Sequence, residues 1–113
     1  MAAPRSSPSG KGRSLAVGID VGATKLLAAA VDARGSASHV VRVETPSADG
    51  PDAVVRAMVD AVTACRDASG GTLASVGIGF AGQVSGDVVR SSPNLAGWRD
   101  VPLAARLRRR LGV

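Results

Sequence analysis

The chain has 113 residues, enough for one small domain, and 45% of them are apolar with one Phe, one Trp and no Tyr, so any core is built from Val, Ala, Leu and Ile. No apolar run is long enough for a spanning helix, no apolar stretch follows the basic N-terminus as a secretory signal requires, and the lone Cys65 excludes an internal disulfide or a multi-cysteine metal site. The net charge of +5 sits on the ends, with Arg5, Lys11 and Arg13 at one and Arg106, Arg108, Arg109 and Arg110 at the other, while the middle is slightly acidic.

That distribution reads as a solubilising tail and a solvated helix face, and not as one designed surface for nucleic acid. Residues 1–14 are rich in Ser, Pro, Gly and basic side chains, which predicts a disordered basic leader with order beginning at Leu15. Leu15 to Ile19 reads as a buried strand that enters a turn at Asp20-Val21-Gly22. Leu26 to Val31 is a second strand, closed by the turn cluster Asp32-Ala33-Arg34-Gly35. Ser38 to Glu44 alternates polar and apolar residues and makes a third strand, so the first three form an antiparallel meander.

Pro46 to Gly50 breaks the pattern, and Pro51 suits the first turn of a helix with Asp52 near its positive end. Val54, Val55, Met58, Val59, Val62 and Cys65 then fall on one helical stripe, which makes Cys65 a packing residue. Asp52, Arg56 and Asp60 are spaced for weak ion pairs on the opposite face. Gly70-Gly71 ends this helix. Val76 to Phe80 is a fourth buried strand, Val88-Val89 begins a short return strand, and Ser91 to Asp100 reads as an irregular loop in which Trp98 packs and its indole N–H finds a carbonyl. Pro102 opens a last helix with Leu103, Leu107 and Leu111 on one face. The order is a three-strand meander, then helix, strand, loop and helix, which predicts a mixed sheet in an α/β domain.

The turn after the first strand is the leading chemical candidate. Gly22 lets backbone N–H groups approach an anion, Thr24 adds a hydroxyl, Lys25 a cation, and Asp20 could hold Mg²⁺ through its water shell. An ordinary hairpin with a polar turn is the alternative, and spacing alone does not separate the two. A P-loop is excluded, because G-x-x-x-x-G-K-[ST] is absent and a strand follows. Gly77-Ile78-Gly79-Phe80-Ala81-Gly82 matches G-x-G-x-x-G, and Asp100 lies near the spacing of a ribose-binding acid. The residues after Gly82 carry turn chemistry and not an amphipathic helix, so the dinucleotide reading is set aside. His39 has no cysteine or acid cluster around it and reads as a surface or edge histidine.

Together these segments resemble a family. Asp20-Val21-Gly22-Ala23-Thr24-Lys25 resembles the first phosphate motif of the ROK family (repressor, open reading frame, kinase), which includes bacterial glucokinases of actin-like ATPase, ribonuclease H-like fold. Val76 to Val84 resembles that family's strand and sugar-side loop, and Ser92 to Trp98, Val101-Pro102-Leu103 and Leu111-Gly112-Val113 resemble the segment after it. The resemblance spans residues 16–113 in register. It implies that Gly22, Ala23, Thr24 and Lys25 line the phosphates of ATP, that Asp20 helps place Mg²⁺, and that Gly82 and Gln83 lie near a hexose, glucose first. Asn94 and Trp98 would be architectural. Ala81 stands where the family usually has Pro.

The resemblance also implies what the chain lacks. The family's Glu-Asn-Asp-Ala-Asn strand, whose Asp takes the proton from the sugar hydroxyl, matches nothing here, and neither Asp87 nor Asp100 fits it. The Cys/His zinc site, second phosphate motif and adenine pocket are missing too. The expectation is therefore an incomplete N-terminal lobe over residues 15–113, inactive alone, from a cytoplasmic ATP-dependent hexose kinase that can be a homo-oligomer at full length, with no membrane or nucleic-acid partner. A sugar-responsive regulator of the same family and a non-catalytic remnant are the alternatives.

Overall fold

The computed structural model describes residues 14–113; the leader expected over 1–14 lies outside them except for Ser14, which opens the first strand. Strands β1 (Ser14–Val21), β2 (Lys25–Val31) and β3 (Ala37–Glu44) form the meander, and helix α1 (Pro51–Ser69) leads to β4 (Thr72–Phe80). The sheet order is β3-β2-β1-β4, with β4 parallel to β1 and the other neighbours antiparallel. A second sheet of three short antiparallel strands follows, β5 (Gln83–Ser85), β6 (Val88–Ser91) and β7 (Arg99–Val101), and then α2 (Leu103–Leu111).

One face of the four-stranded sheet makes the core. Leu15, Val17, Ile19 and Val21 of β1 alternate inward beside Leu26, Ala28 and Ala30 of β2. They meet Val54, Val55, Met58, Ala61, Val62 and Cys65 of α1, the stripe that the helical spacing predicts. Each fully buried Val, Leu or Met contributes about 1.5–3 kcal/mol, so this layer dominates the stability of the chain. Small side chains on β2 let α1 sit close to the sheet. The opposite face of β1 carries Ala16, Gly18 and Asp20 and is more open.

Helix α1 begins and ends as its sequence dictates. Pro51 occupies the first turn, where no N–H is needed, and Gly70 closes the helix at φ +77 with its N–H donating to Arg66 O at 2.9 Å. Asp52 does not pair with Arg56. Its carboxylate accepts from Arg106 at 2.9 Å, because α2 packs beside α1 and a guanidinium across the helix interface reaches it first. Arg106 is therefore only partly solvated, unlike the freely exposed residue expected from its helical face. No helix among the described residues is long and apolar enough to cross a membrane.

Three further expectations change. Strand β4 starts at Thr72, four residues before Val76, since Thr72 and Leu73 pair with Ser14 and Leu15 ahead of a bulge. It is also largely exposed and not buried, because among the described residues only β1 flanks it and α1 covers the other side of the sheet. The segment from Ser91 to Asp100 holds the end of β6 and the start of β7, which Arg90 and Asp100 clasp at 3.1 Å.

Candidate functional site

The chain turns back at Gly22-Ala23-Thr24-Lys25, between β1 and β2. Gly22 N–H donates to Lys25 O at 3.0 Å, and a Cβ on Gly22 would sit 3.0 Å from that same oxygen, so the tight closure favours glycine. Ala23 and Thr24 form the tip without entering the left-handed region, so the tip stores no backbone strain there.

Both tip carbonyls are tied back to the protein. Thr45 N–H donates to Thr24 O at 2.9 Å, and the Ser47 hydroxyl donates to Ala23 O. A trans peptide points its N–H opposite to its C=O. Fixing Ala23 O toward Ser47 therefore aims the Thr24 N–H away from the protein, where no protein acceptor among the described residues meets it. Lys25 is exposed beside it and forms no ion pair among the described residues. A free amide, a hydroxyl and a cation are thus carried on two adjacent exposed residues of the turn, the donor set that an anion cradle uses.

Asp20 lies one step down β1, in register with Gly79 of β4. Its Oδ1 would be 3.6 Å from a Cβ at Gly79, so the missing side chain there leaves the carboxylate an open approach. The carboxylate makes no hydrogen bond or ion pair with another described residue, and Asp20 is exposed. No group of three His, Cys, Asp or Glu side chains that could hold a metal occurs among the described residues. A single open carboxylate beside an anion cradle suits Mg²⁺ all the same, since that ion keeps most of its waters and takes its other ligands from phosphates.

The second candidate segment leaves the neighbouring strand at the same end. Val21 pairs with Phe80, so Ala81-Gly82-Gln83 emerges beside the hairpin. After Gly82 comes the short strand β5 and not a helix, which leaves no helix N-terminus for a dinucleotide pyrophosphate. Gly82 is held by contact: a Cβ there would be 2.3 Å from Ser91 O. Ser92 Oγ donates to Ala81 O at 2.8 Å and fixes the entry to this loop. Gln83 is exposed and pairs with Ser91 across the β5–β6 hairpin.

The segment after β6 closes over these loops. Trp98 is buried and stacks on Phe80, with ring centroids 4.6 Å apart and planes at 42°. Among the described residues its indole N–H meets no carbonyl, contrary to expectation; the ring is oriented by the Phe80 contact instead. Gly97 adopts φ +77 and lies against Pro51, and Ala96 N–H donates to Ser47 O at 2.9 Å.

Two hollows deserve chemical comparison with the turn. One of about 570 Å³ lies behind the hairpin, lined by Thr24, Thr45 and Pro46 but also by Glu44 and Asp49, whose charges oppose an anion. Another of about 570 Å³ lies at the far end of the sheet, and its acid, Asp32, already accepts from the Arg34 and Ser36 N–H groups. Asp87 and Asp100 are engaged by Arg108 and Arg90. His39 is exposed at φ +52, and among the described residues its ring hydrogen-bonds only with Ser38 Oγ, so it stays outside the site. Cys65 is fully buried, and burial pushes its thiol up, partly offset by a hydrogen bond to the Ala30 backbone.

Reading the sequence locally did not single out Thr45 and Ser47. The local pattern marks only a break from Pro46 to Gly50, yet Thr45 and Ser47 hold both tip carbonyls. The available signal is the Ser47 hydroxyl just after Pro46 and ahead of a helix, which marks side-chain to backbone bonding without naming the partner; Thr45 acts through its N–H, and its hydroxyl meets no partner among the described residues.

The ROK family profile matches residues 16–113. The chain is 37% identical over 101 residues to the glucokinase of Streptomyces coelicolor and 31% identical over 98 residues to that of Thermotoga maritima, covering 88% and 85% of this chain. It spans only 30% of the length of either relative. Among solved structures it is similar to a ROK family glucokinase from Streptomyces griseus in complex with glucose and AMPPNP, with a TM-score of 0.79 and 34% identity over 88% of this chain and 31% of that one. An inorganic polyphosphate/ATP-glucomannokinase from Arthrobacter gives a TM-score of 0.78 and 28% identity over 88% of this chain and 42% of that one. The sheet and helices are those of the actin-like ATPase fold. With the profile and the glucokinase relatives in agreement over the same residues, the chain belongs to the ROK family.

Proposed function

We propose that this chain supplies the first phosphate turn and part of the sugar-side loop of an ATP-dependent hexose kinase. The observation that carries the reading is the pairing of Val21 with Phe80 in parallel strands, which brings Gly22–Lys25 and Ala81–Gln83 out together at the carboxyl ends of β1 and β4. Ligands of open α/β sheets bind at that end of the strands. A transferred phosphoryl group must sit between a nucleotide and an acceptor hydroxyl, so two such loops side by side meet the first geometric requirement.

In this reading the Thr24 N–H and hydroxyl and the Lys25 ammonium hold phosphate oxygens, and Gly22 and Ala23 keep the approach free of bulk. Asp20 holds a water of the Mg²⁺ that, when bound, neutralises charge on the phosphates. Gly82 and Gln83 face the hexose. Glucose is the first candidate, because the relatives are glucokinases and one neighbour binds glucose with an ATP analogue. No acid in the chain matches the Asp motif that serves as general base in the family, so binding without turnover is the expected behaviour.

The test is calorimetric titration of the chain with MgAMPPNP. Binding is expected in the chain as it stands, weakened about tenfold or more by Lys25→Met, since a charge-assisted hydrogen bond contributes about 1.5–3 kcal/mol. A Lys25→Met variant that binds as tightly as the parent removes the turn from the phosphate site. Turnover of ATP and glucose in a coupled assay would overturn the account of the missing base.

A further inference from the structure

Four hydrogen-bond contacts meet at Ser47. Its hydroxyl donates to Ala23 O and also lies 3.3 Å from Thr45 O, its N–H donates to Thr45 O at 2.8 Å, and its carbonyl accepts from Ala96 N–H at 2.9 Å. The first reaches the tip of the candidate phosphate turn, 24 residues back in the chain. The last reaches the segment whose Trp98 stacks on Phe80, immediately before the candidate sugar-side loop.

We propose that Ser47 is a positioning residue that sets the orientation of the Ala23–Thr24 peptide and couples it to the 95–98 segment beside the sugar-side loop. The proposal rests on the phosphate reading of the turn for its functional meaning. Its mechanical part stands on the hydrogen bonds alone.

The peptide plane is the point of leverage. With Ala23 O held by Ser47, the Thr24 N–H faces outward; with that bond lost, the plane rotates and the amide no longer keeps a fixed aim. Water can replace the hydroxyl as a donor to Ala23 O, because the turn is only half-buried. The fold therefore survives the loss, while the aim of the amide does not. Ala96 has no hydroxyl to supply a second link, so its N–H reports directly on how firmly the Ser47 turn is held.

The coupling has a chemical consequence. Anion binding at the Thr24 N–H stiffens the Ala23–Thr24 peptide, which stiffens Ser47 and then Ala96. Binding on the phosphate side thereby orders the support of the sugar-side loop before a hexose arrives, through ordering and with no large movement.

The experiment measures amide hydrogen exchange by NMR and MgAMPPNP affinity by calorimetry in the parent chain, Ser47→Ala and Ser47→Thr. Ser47→Ala should leave the far-ultraviolet circular dichroism unchanged, speed exchange at the Ala96 amide about three- to tenfold, and weaken MgAMPPNP about three- to tenfold, as loss of one neutral hydrogen bond implies. Ser47→Thr retains the hydroxyl and should restore both values, a rescue that a mere packing role would not give. Ala96 exchange within twofold of the parent in Ser47→Ala overturns the proposal. If the parent chain binds no MgAMPPNP, the phosphate reading fails, and Ala96 exchange alone still decides whether Ser47 couples the two segments.

Discussion

Replacing Gly82 by alanine should destabilise the chain, although glycine to alanine in an extended segment ordinarily does the reverse. The added Cβ would lie 2.3 Å from Ser91 O and 3.3 Å from both Ser91 C and Ser92 Cα. All three atoms are backbone, so no side-chain rotation relieves the contact. An unstrained carbon-to-oxygen approach is about 3.3 Å, so the loop or β6 must yield by about 1 Å. That movement pulls at the bond from Ser92 Oγ to Ala81 O and at the Gln83–Ser91 pairing. Overpacking of this kind costs about 1–3 kcal/mol. Against it stands about 0.4–1 kcal/mol gained by restricting the unfolded chain. Midway through both ranges the net loss is about 1.3 kcal/mol, a fall in Tm of about 5–10 °C for a domain of this size. Gly77 is the internal control, since a Cβ there meets nothing within 4 Å and its φ lies outside the left-handed region. Gly77→Ala should raise Tm by a few degrees by the same unfolded-state effect. Thermal unfolding followed by circular dichroism checks both. A Gly82→Ala variant that melts at or above the parent refutes the argument that contact with Ser91 holds this residue.

Two further outcomes follow from the core. Met58 is fully buried where α1 meets the sheet, and Met58→Ala should cost about 2–5 kcal/mol, seen as a large drop in the urea midpoint with an unchanged slope; a drop under about 1 kcal/mol would show that α1 is not seated as described. Cys65 titrates above its ordinary value because burial disfavours the thiolate. The folded state then binds more protons than the unfolded one above the unfolded thiol value, so the Cys65 contribution to stability is intact below about pH 8.5 and declines as pH rises through the folded value. Urea midpoints from pH 7 to 10 should show that decline in the parent and a flatter profile in Cys65→Ala; equal slopes would refute it.

Much of this fold is legible because its signals are local. Alternation in β1 and β3, the apolar stripe of α1 and the bounding Pro51 and Gly70 each sit within a few residues of what they determine. The start of β4 is hidden because Ala74 and Ser75 carry little strand signal: Ala74 is the unpaired bulge residue, and the pairing of Thr72, Leu73 and Ser75 depends on β1, far back in the chain. Strand β7 is three residues long, and its register exists only through β6. The same division holds at the site. Gly22, Thr24 and Lys25 announce a turn by type and spacing. The strict need for glycine at residue 82 comes from Ser91, and the aim of the Thr24 amide comes from Ser47; both are contacts that no local pattern encodes.

The convergence of these loops follows from chain lengths. Strand β1 rises to the hairpin, β2 descends from it, and β3 rises again, which returns Thr45 and Ser47 to the level of Ala23 and Thr24. Helix α1 then descends 19 residues, about 28 Å at the helical rise. The eight residues of β1 span about 26 Å, so the helix takes the chain back the full height of the sheet. Strand β4 can therefore begin at the level of Ser14 and run parallel to β1 until Phe80 stands beside Val21. A helix two turns shorter would start β4 about 11 Å too high and carry Ala81–Gln83 past the hairpin. Proximity of the Gly22–Lys25 turn, the Ser47 link and the Ala81–Gln83 loop is thus a consequence of matching helix length to strand length, and it would persist under substitutions that spare those lengths.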